Sequence, residues 1–191
     1  VTNLNVDTTF NSGNGNQWIN EADGLATLNL NAGSGNITLN SGGAVRDGDA
    51  DLDIKATTFT ATIEGDFGAT GGANEAIDTD VTNLNVDTMT NNNSQWINEL
   101  AGLSNLDLDA GSGNVTLLAN GAILDSSNDT MTDIRATTAT VTIAGGGGNF
   151  GATGGANEAI DTDVTNLTVD TSAATGSQWI DEAEGLAALD L

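Results

Sequence analysis

The 191-residue chain contains no cysteine, proline, histidine or tyrosine, and it sets only three basic residues against 27 acidic ones, for a formal net charge of −24. Each shortage removes a class of function. Without cysteine there is no disulfide framework, thiolate zinc site or thiol redox chemistry. Without histidine the Ser-His-Asp triad cannot be built. Three cations cannot neutralise a phosphate backbone or hold an anionic lipid surface, so neither nucleic acid nor a membrane surface is expected as a partner. No apolar run approaches the roughly 18 residues of a transmembrane helix, so membrane insertion is not expected. The first residues, Val1-Thr2-Asn3-Leu4, lack the basic and apolar regions of a signal peptide.

What the chain has instead is acid, glycine and repetition. High charge with few aromatics suits a disordered chain, yet 38% of the residues are hydrophobic, and the Val, Ile and Leu among them fall in a pattern. VTNLNVDT at 1–8 recurs at 81–88 and as VTNLTVDT at 164–171. QWINEADGL at 17–25 returns as QWINELAGL at 95–103 and QWIDEAEGL at 178–186, and FGATGGANEAIDTDVTNL at 67–84 is identical to 150–167. These copies divide the chain into 1–80, 81–163 and a partial 164–191. Length changes between copies are confined to polar stretches such as NSGNGN at 11–16 and EGDF at 64–67, which marks these as surface loops between fixed elements.

A shorter period lies inside the long one. Strand-like starts recur at Trp18, Ile37, Thr57 and Ile77, so each long repeat holds four units. Within these units apolar and polar residues alternate: Leu106 and Leu108 against Asp107 and Asp109, and Ala139, Val141 and Ile143 against Thr140 and Thr142. Corners such as AGSGN and GGAN supply residues that tolerate positive φ. About 20 residues with short strands and glycine corners is one coil of a parallel β-solenoid, in which each coil buries its apolar face only by stacking on the next. The expected fold is therefore all-β: one continuous parallel β-helix over 1–191, nine to ten coils, four per long repeat, in a rod of roughly 45 Å at about 4.8 Å per coil. Right-handed coiling follows the general preference of parallel crossovers. A β-sandwich is the competing fold, but each near-identical copy would then need a separate aromatic core and longer strands.

FGATGGANEAIDTDVTNLTVDT, followed by a polar gap and QWIDEAEGL, resembles the repeats of filamentous-haemagglutinin-type large repetitive bacterial adhesins. Their repeats run from a Gly-rich segment into an I-x-T-x-V strand (here Ile77, Thr79, Val81), then L-x-V (Leu84, Val86), then a strand ending in E-A-x-G-L (Ile97, Glu99). The resemblance covers essentially the whole chain. It implies a right-handed parallel β-helix serving as a long, secreted, cell-surface stalk.

Several residues carry candidate chemistry. Asp47, Asp49, Asp51 and Asp53 alternate in DGDADLD, compatible with oxygen ligation of Ca²⁺ and equally with a solvated turn. The second copy, LDSSNDTMTD at 124–133, keeps Asp125, Asp129 and Asp133. Ca²⁺ is the one cofactor these residues suggest. Asp78 with Asp80, and Asp161 with Asp163, read as outward pairs on a strand. Paired carboxylates can hydrolyse glycosides, but near-identical modules with only Arg46, Lys55 and Arg135 as cations do not suggest an enzyme. Lys55 and Arg135 are equivalent positions, expected to neutralise an Asp of an adjacent coil. Trp18, Trp96 and Trp179 share one repeat position and read either as edge packing or as a sparse sugar-stacking ladder. TTFTATI at 57–63 has the Thr-x-Thr face of ice-binding solenoids, expected once in four coils.

The sequence thus suggests an extracellular structural segment for surface adhesion or filament assembly. Its ends are expected to continue into more chain or to stack on further copies, and its other partners would be cell-surface glycans or proteins. A carbohydrate-binding or carbohydrate-active β-helix, and a Ca²⁺-dependent or ice-active surface, are the alternatives. Salt or Ca²⁺ should stabilise so acidic a rod.

Overall fold

The computed structural model describes residues 1–10, 13–70, 75–127, 129–153 and 158–191. The GGAN corners at 71–74 and 154–157, the Asn11-Ser12 part of the first polar gap, and Asn128 lie outside these. Among the described residues thirteen strands follow one another: β1 (Asn3–Asp7), β2 (Gln17–Glu21), β3 (Thr27–Asn31), β4 (Asn36–Ser41), β5 (Ile54–Ile63), β6 (Ile77–Asp87), β7 (Gln95–Glu99), β8 (Asn105–Asp109), β9 (Asn114–Ala119), β10 (Ile134–Ile143), β11 (Ile160–Asp170), β12 (Ile180–Glu182) and β13 (Ala188–Asp190). Every pairing among them is parallel. Helix is limited to a single 3-10 turn, Met89–Asn91, among the named elements.

The chain is a parallel β-solenoid. A turn takes about 24 residues rather than 20, and there are about 7 turns rather than nine to ten. Coil length varies because the corners vary. Asn20 and Asn40 stack 20 positions apart across a short glycine corner, whereas Thr138 and Asn166 stack 28 apart across the long segment after β10. At about 4.8 Å per turn the rod is roughly 34 Å long, shorter than the sequence spacing suggests.

Three ladders run along it. The first passes through Val6, Leu30, Ile54, Thr79, Glu99, Ala119 and Ile143. The second passes through Ile19, Leu39, Ala61, Val86, Leu108, Ile134, Thr162 and Glu182. The third passes through Leu25, Val45, Phe67, Gln95, Val115, Ala139, Leu167 and Leu189. Away from the ends their apolar members pack into one narrow core, in which the Phe59 and Phe67 rings stack at 5.9 Å.

The long repeat and the coil are out of step. The stretch from Val1 to its equivalent Val81 takes about three and a third of these turns, not four. Val6 lies on the first ladder, but its repeat equivalent Val86 lies on the second. Gln17 pairs beside the second ladder, and its equivalent Gln95 is on the third. From the first copy to the second, these motifs move one ladder round the rod.

Many of the acids have local structural duties. Asp7, Asp87 and Asp170, equivalent in the V-D-T motif, each accept the backbone N–H two residues ahead at 2.7–2.8 Å. Asp109 does the same for Gly111, at 2.9 Å, whose φ of +56° is a left-handed conformation suited to glycine. Asp reaches that N–H with one methylene fewer than Glu, which favours Asp over Glu at such turns.

Candidate functional site

The Q-W-I-x-E strand turns Gln, Ile and Glu inward and Trp outward, as period-2 alternation requires. Gln95 is fully buried. Its Nε2 donates to Val86 O at 2.9 Å, Asp109 O at 3.1 Å and Thr88 Oγ1 at 3.2 Å. Gln17 and Gln178 donate to the equivalent valine and threonine. Each glutamine ties the end of one strand to the start of the next, spanning a polar corner.

Glu99 is also fully buried. Its Oε2 accepts from Thr79 Oγ1 at 2.7 Å and Val81 N at 3.3 Å, and its Oε1 from Ala101 N at 2.9 Å. Desolvation pushes its pKa from 4.5 up to about 7, against those hydrogen bonds. Thr162 and Glu182 repeat the contact at 2.7 Å. The sequence marks Glu99 only as part of the repeat motif and gives Gln95 no role, although their parity with Ile97 is the signal that turns both inward.

The densest chemistry lies at two acid corners. Of the four aspartates singled out in DGDADLD, Asp49 and Asp51 are exposed, while Asp47 is 7% and Asp53 3% exposed. The alternation does not bring all four together. Instead Asp53, at the far end of the loop, meets Asp78 of the following coil, and Asp47 feels the Asp78 charge. Asp53 Oδ2 accepts from Asp78 N at 2.9 Å, and Asp47 Oδ1 from Asp49 N at 2.8 Å. Asp78 is buried rather than outward in solvent, because this loop and Asn98, whose Nδ2 donates to it at 2.7 Å, cover the outer side of its strand. Burial pushes the Asp53 carboxyl up to about 8, and the charges of Asp47, Asp78 and Asp49 add to the shift.

The second copy rebuilds this corner from Asp125, Asp133 and Asp161. Asp133 Oδ2 accepts from Asp161 N at 2.8 Å, and Asp125 Oδ1 from Ser127 N at 2.9 Å. Burial, with the Asp125, Asp161 and Asp129 charges adding, raises Asp133 to about 7. One carboxylate oxygen from each of Asp125, Asp133 and Asp161 lies within 4.8 Å of the others.

The cations are engaged elsewhere. Lys55 bridges Asp80, and Arg135 reaches Asp163 at 3.1 Å and Asp109 at 3.3 Å, so both join adjacent coils as their equivalence suggested. Arg46 meets Asp66 at 3.4 Å. Trp18, 73% exposed, stands in register with Thr38; Trp96 pairs with Thr116; and the Trp179 N–H donates to Phe150 O. Three different rows hold them, so they make no common track.

Outward threonines are more regular than expected. Thr116, Thr140 and Thr168 stand in register on successive coils, flanked by Asn114, Thr138 and Asn166. Asparagine amides link such rows, Asn85 to Asp107 at 2.8 Å and Asn83 to Thr58 at 3.1 Å. A groove of about 660 Å³ runs along the surface, lined by residues including Asn85, Asp107, Asp129, Met131 and Arg135.

Repeat, ladder and corner together define a β-helical repeat protein. No family model, curated protein or solved structure matches the chain. Among the described residues no helix is long and apolar enough to cross a membrane.

Proposed function

We propose that the chain is a segment of an extracellular, non-enzymatic rod that serves surface adhesion or filament assembly, in the manner of the haemagglutinin-type adhesins its repeats resemble. The observation that carries this reading is the uninterrupted parallel ladder, closed outside by polar Asn and Thr rows and inside by one apolar column. β1 and β2 at one end and β12 and β13 at the other pair on one side only. An unpaired parallel edge is a template for another strand.

The test is length. Inserting three further copies of the long repeat should extend the particle by about 48 Å at constant width, at about 4.8 Å per turn, in electron micrographs. Separate beads or a thicker particle would refute the reading. A second reading is a carbohydrate-binding face, favoured by the polar groove beside Asp107 and Arg135. Shifts of Asn85 and Asn105 amide resonances on adding neutral oligosaccharides would support it, and their absence would leave the rod alone.

A further inference from the structure

The outward residues of five successive coils stand in straight files. Trp18, Thr38, Thr60, Asn85 and Asp107 are in register from coil to coil. Asn36, Thr58, Asn83 and Asn105 form the file beside them, two positions back along each strand and so on the same face. From Trp18 to Asp107 there are four steps of about 4.8 Å, or roughly 19 Å. The groove of about 660 Å³ is the far part of this strip. Thr60, Asn85 and Asp107 line it from the strands, and Met131, 72% exposed, lines it from the loop before β10. Trp18 stands at the other end. The second copy repeats the order in Trp96, Thr116, Thr140, Thr168 and Asp190, so the file belongs to the repeat.

We propose that this strip binds a linear, neutral, β-1,4-linked oligosaccharide laid along the rod axis, one sugar per coil, with the Trp18 indole stacking on the sugar at the open end. The proposal rests on the carbohydrate-binding reading of the groove and adds the linkage, length and course of the ligand. Its first support is the period. The spacing of about 4.8 Å between coils is close to the advance per sugar of an extended β-1,4-linked chain, so successive sugars meet the same pair of polar positions. An α-1,4-linked chain coils and leaves a straight file after a few units.

The polar groups are also held in place by the protein itself. Asn83 Nδ2 donates to Thr58 Oγ1 at 3.1 Å and Asn85 Nδ2 to Asp107 Oδ2 at 2.8 Å. Among the described residues no donor reaches Oδ1 of either asparagine, which leaves both oxygens to accept from sugar hydroxyls. Side chains already fixed lose little freedom on binding. In a strip otherwise made of Asn, Thr and Asp, the large apolar surfaces are Trp18 at one end and Met131 at the other, and an indole offers a flat face to the C–H side of a pyranose. The acidic surface sets the charge of the ligand: at −24 the rod repels uronates and sulfated chains.

The experiment follows the Asn85 and Asn105 amide resonances of the whole chain during titration with β-1,4-linked glucose oligomers at physiological salt. The pentasaccharide should bind more tightly than the disaccharide, which reaches only the groove, by about fivefold, the order of one aromatic stacking contact. Trp18→Thr keeps strand propensity at this exposed position. It should remove the gain of the pentasaccharide and leave the disaccharide unchanged. An α-1,4-linked glucose pentasaccharide should bind no better than the disaccharide. If the β-linked pentasaccharide gains nothing, or keeps its gain in Trp18→Thr, the axial strip is overturned while a carbohydrate site at the groove stands. Equal binding of the α-linked and β-linked pentasaccharides overturns it in the same way. No shift with any oligomer overturns the strip and the carbohydrate reading together.

Discussion

The two acid corners are built on one plan and differ in one facing residue. Asp78 stands in register with Asn98, which donates a hydrogen bond to it, while Asp161 stands in register with Asp181, which repels it. The first corner has a neutral donor that lowers the cost of its charge. The second has a charge where the first has a donor, although its loop carries three aspartates where the first carries four. At this facing position alone, the second corner should be the weaker seam.

The surroundings of the corners are not identical, and the largest effect measures how far they differ. Phe67 and Phe150 are equivalent, fully buried, and each follows the strand that leaves its corner. Phe67→Ala and Phe150→Ala should each cost about 3–5 kcal/mol in denaturant unfolding. Phe67 stacks on Phe59, whose repeat equivalent is Ala139, so Phe67→Ala should be the costlier of the two; a larger loss at Phe150 would show that the cores differ in more than this ring.

The next effect contrasts Glu99 with its copy near the chain end. Its folded pKa of about 7 lies above its ordinary 4.5, so the folded state holds the proton more tightly than the unfolded one. Its contribution is present below pH 4.5 and is lost as pH rises toward 7. Glu99→Gln should flatten that part of the stability profile, by on the order of 2–3 kcal/mol. Glu182, which accepts the equivalent bond from Thr162, is only half-buried, so Glu182→Ala should cost less in denaturant unfolding than Glu99→Ala. Equal changes would mean that burial does not set the difference.

Exchanging the facing residues inverts the corners directly. Asn98→Asp removes a hydrogen bond to a charged group and adds a repulsion, costing about 2 kcal/mol without divalent cations. Asp181→Asn should stabilise by up to about 1 kcal/mol under the same conditions. Thermal melts in EDTA check both signs, and a destabilising Asp181→Asn would break the comparison. The smallest effect is at the partly exposed inter-coil ion pairs. Lys55→Gln and Arg135→Gln should each cost less than about 1 kcal/mol, shrinking further in high salt.

How much of this is legible in the sequence varies with the range of the interaction. The alternation in LDLDA and ATVTI gives strand faces correctly, because the two-residue period is local. The pairing of Lys55 and Arg135 with aspartates of the next coil is legible from repeat equivalence. The burial of Asp78 is not, since it depends on the loop at 42–53, a full coil earlier in the chain, folding over the outer side of its strand. Nor is the coil length. The strand starts at Trp18, Ile37 and Thr57 describe the tight turns, but corners that lengthen some turns to 28 leave no periodic trace. The charge is sharpened by the same correction. Over roughly 34 Å, −24 is about one charge per 1.4 Å, denser than the ~1.7 Å of duplex DNA. That formal figure overstates the ionised charge near neutral pH, because Asp53, Asp133 and Glu99 resist ionisation.

The mismatch between the long repeat and the turn gives the rod a screw symmetry in its decoration. Any feature fixed to the repeat, whether a tryptophan, an acid corner or a threonine row, winds about the long axis instead of lining up along one side. A row of identical side chains on one face would have to be rolled into contact with a flat partner. A spiral of them meets such a partner at every azimuth, with only a fraction of the copies touching at once. Lengthening such a rod adds opportunities for simultaneous weak contacts without demanding orientation, and so favours avidity gathered over many copies above affinity concentrated in one.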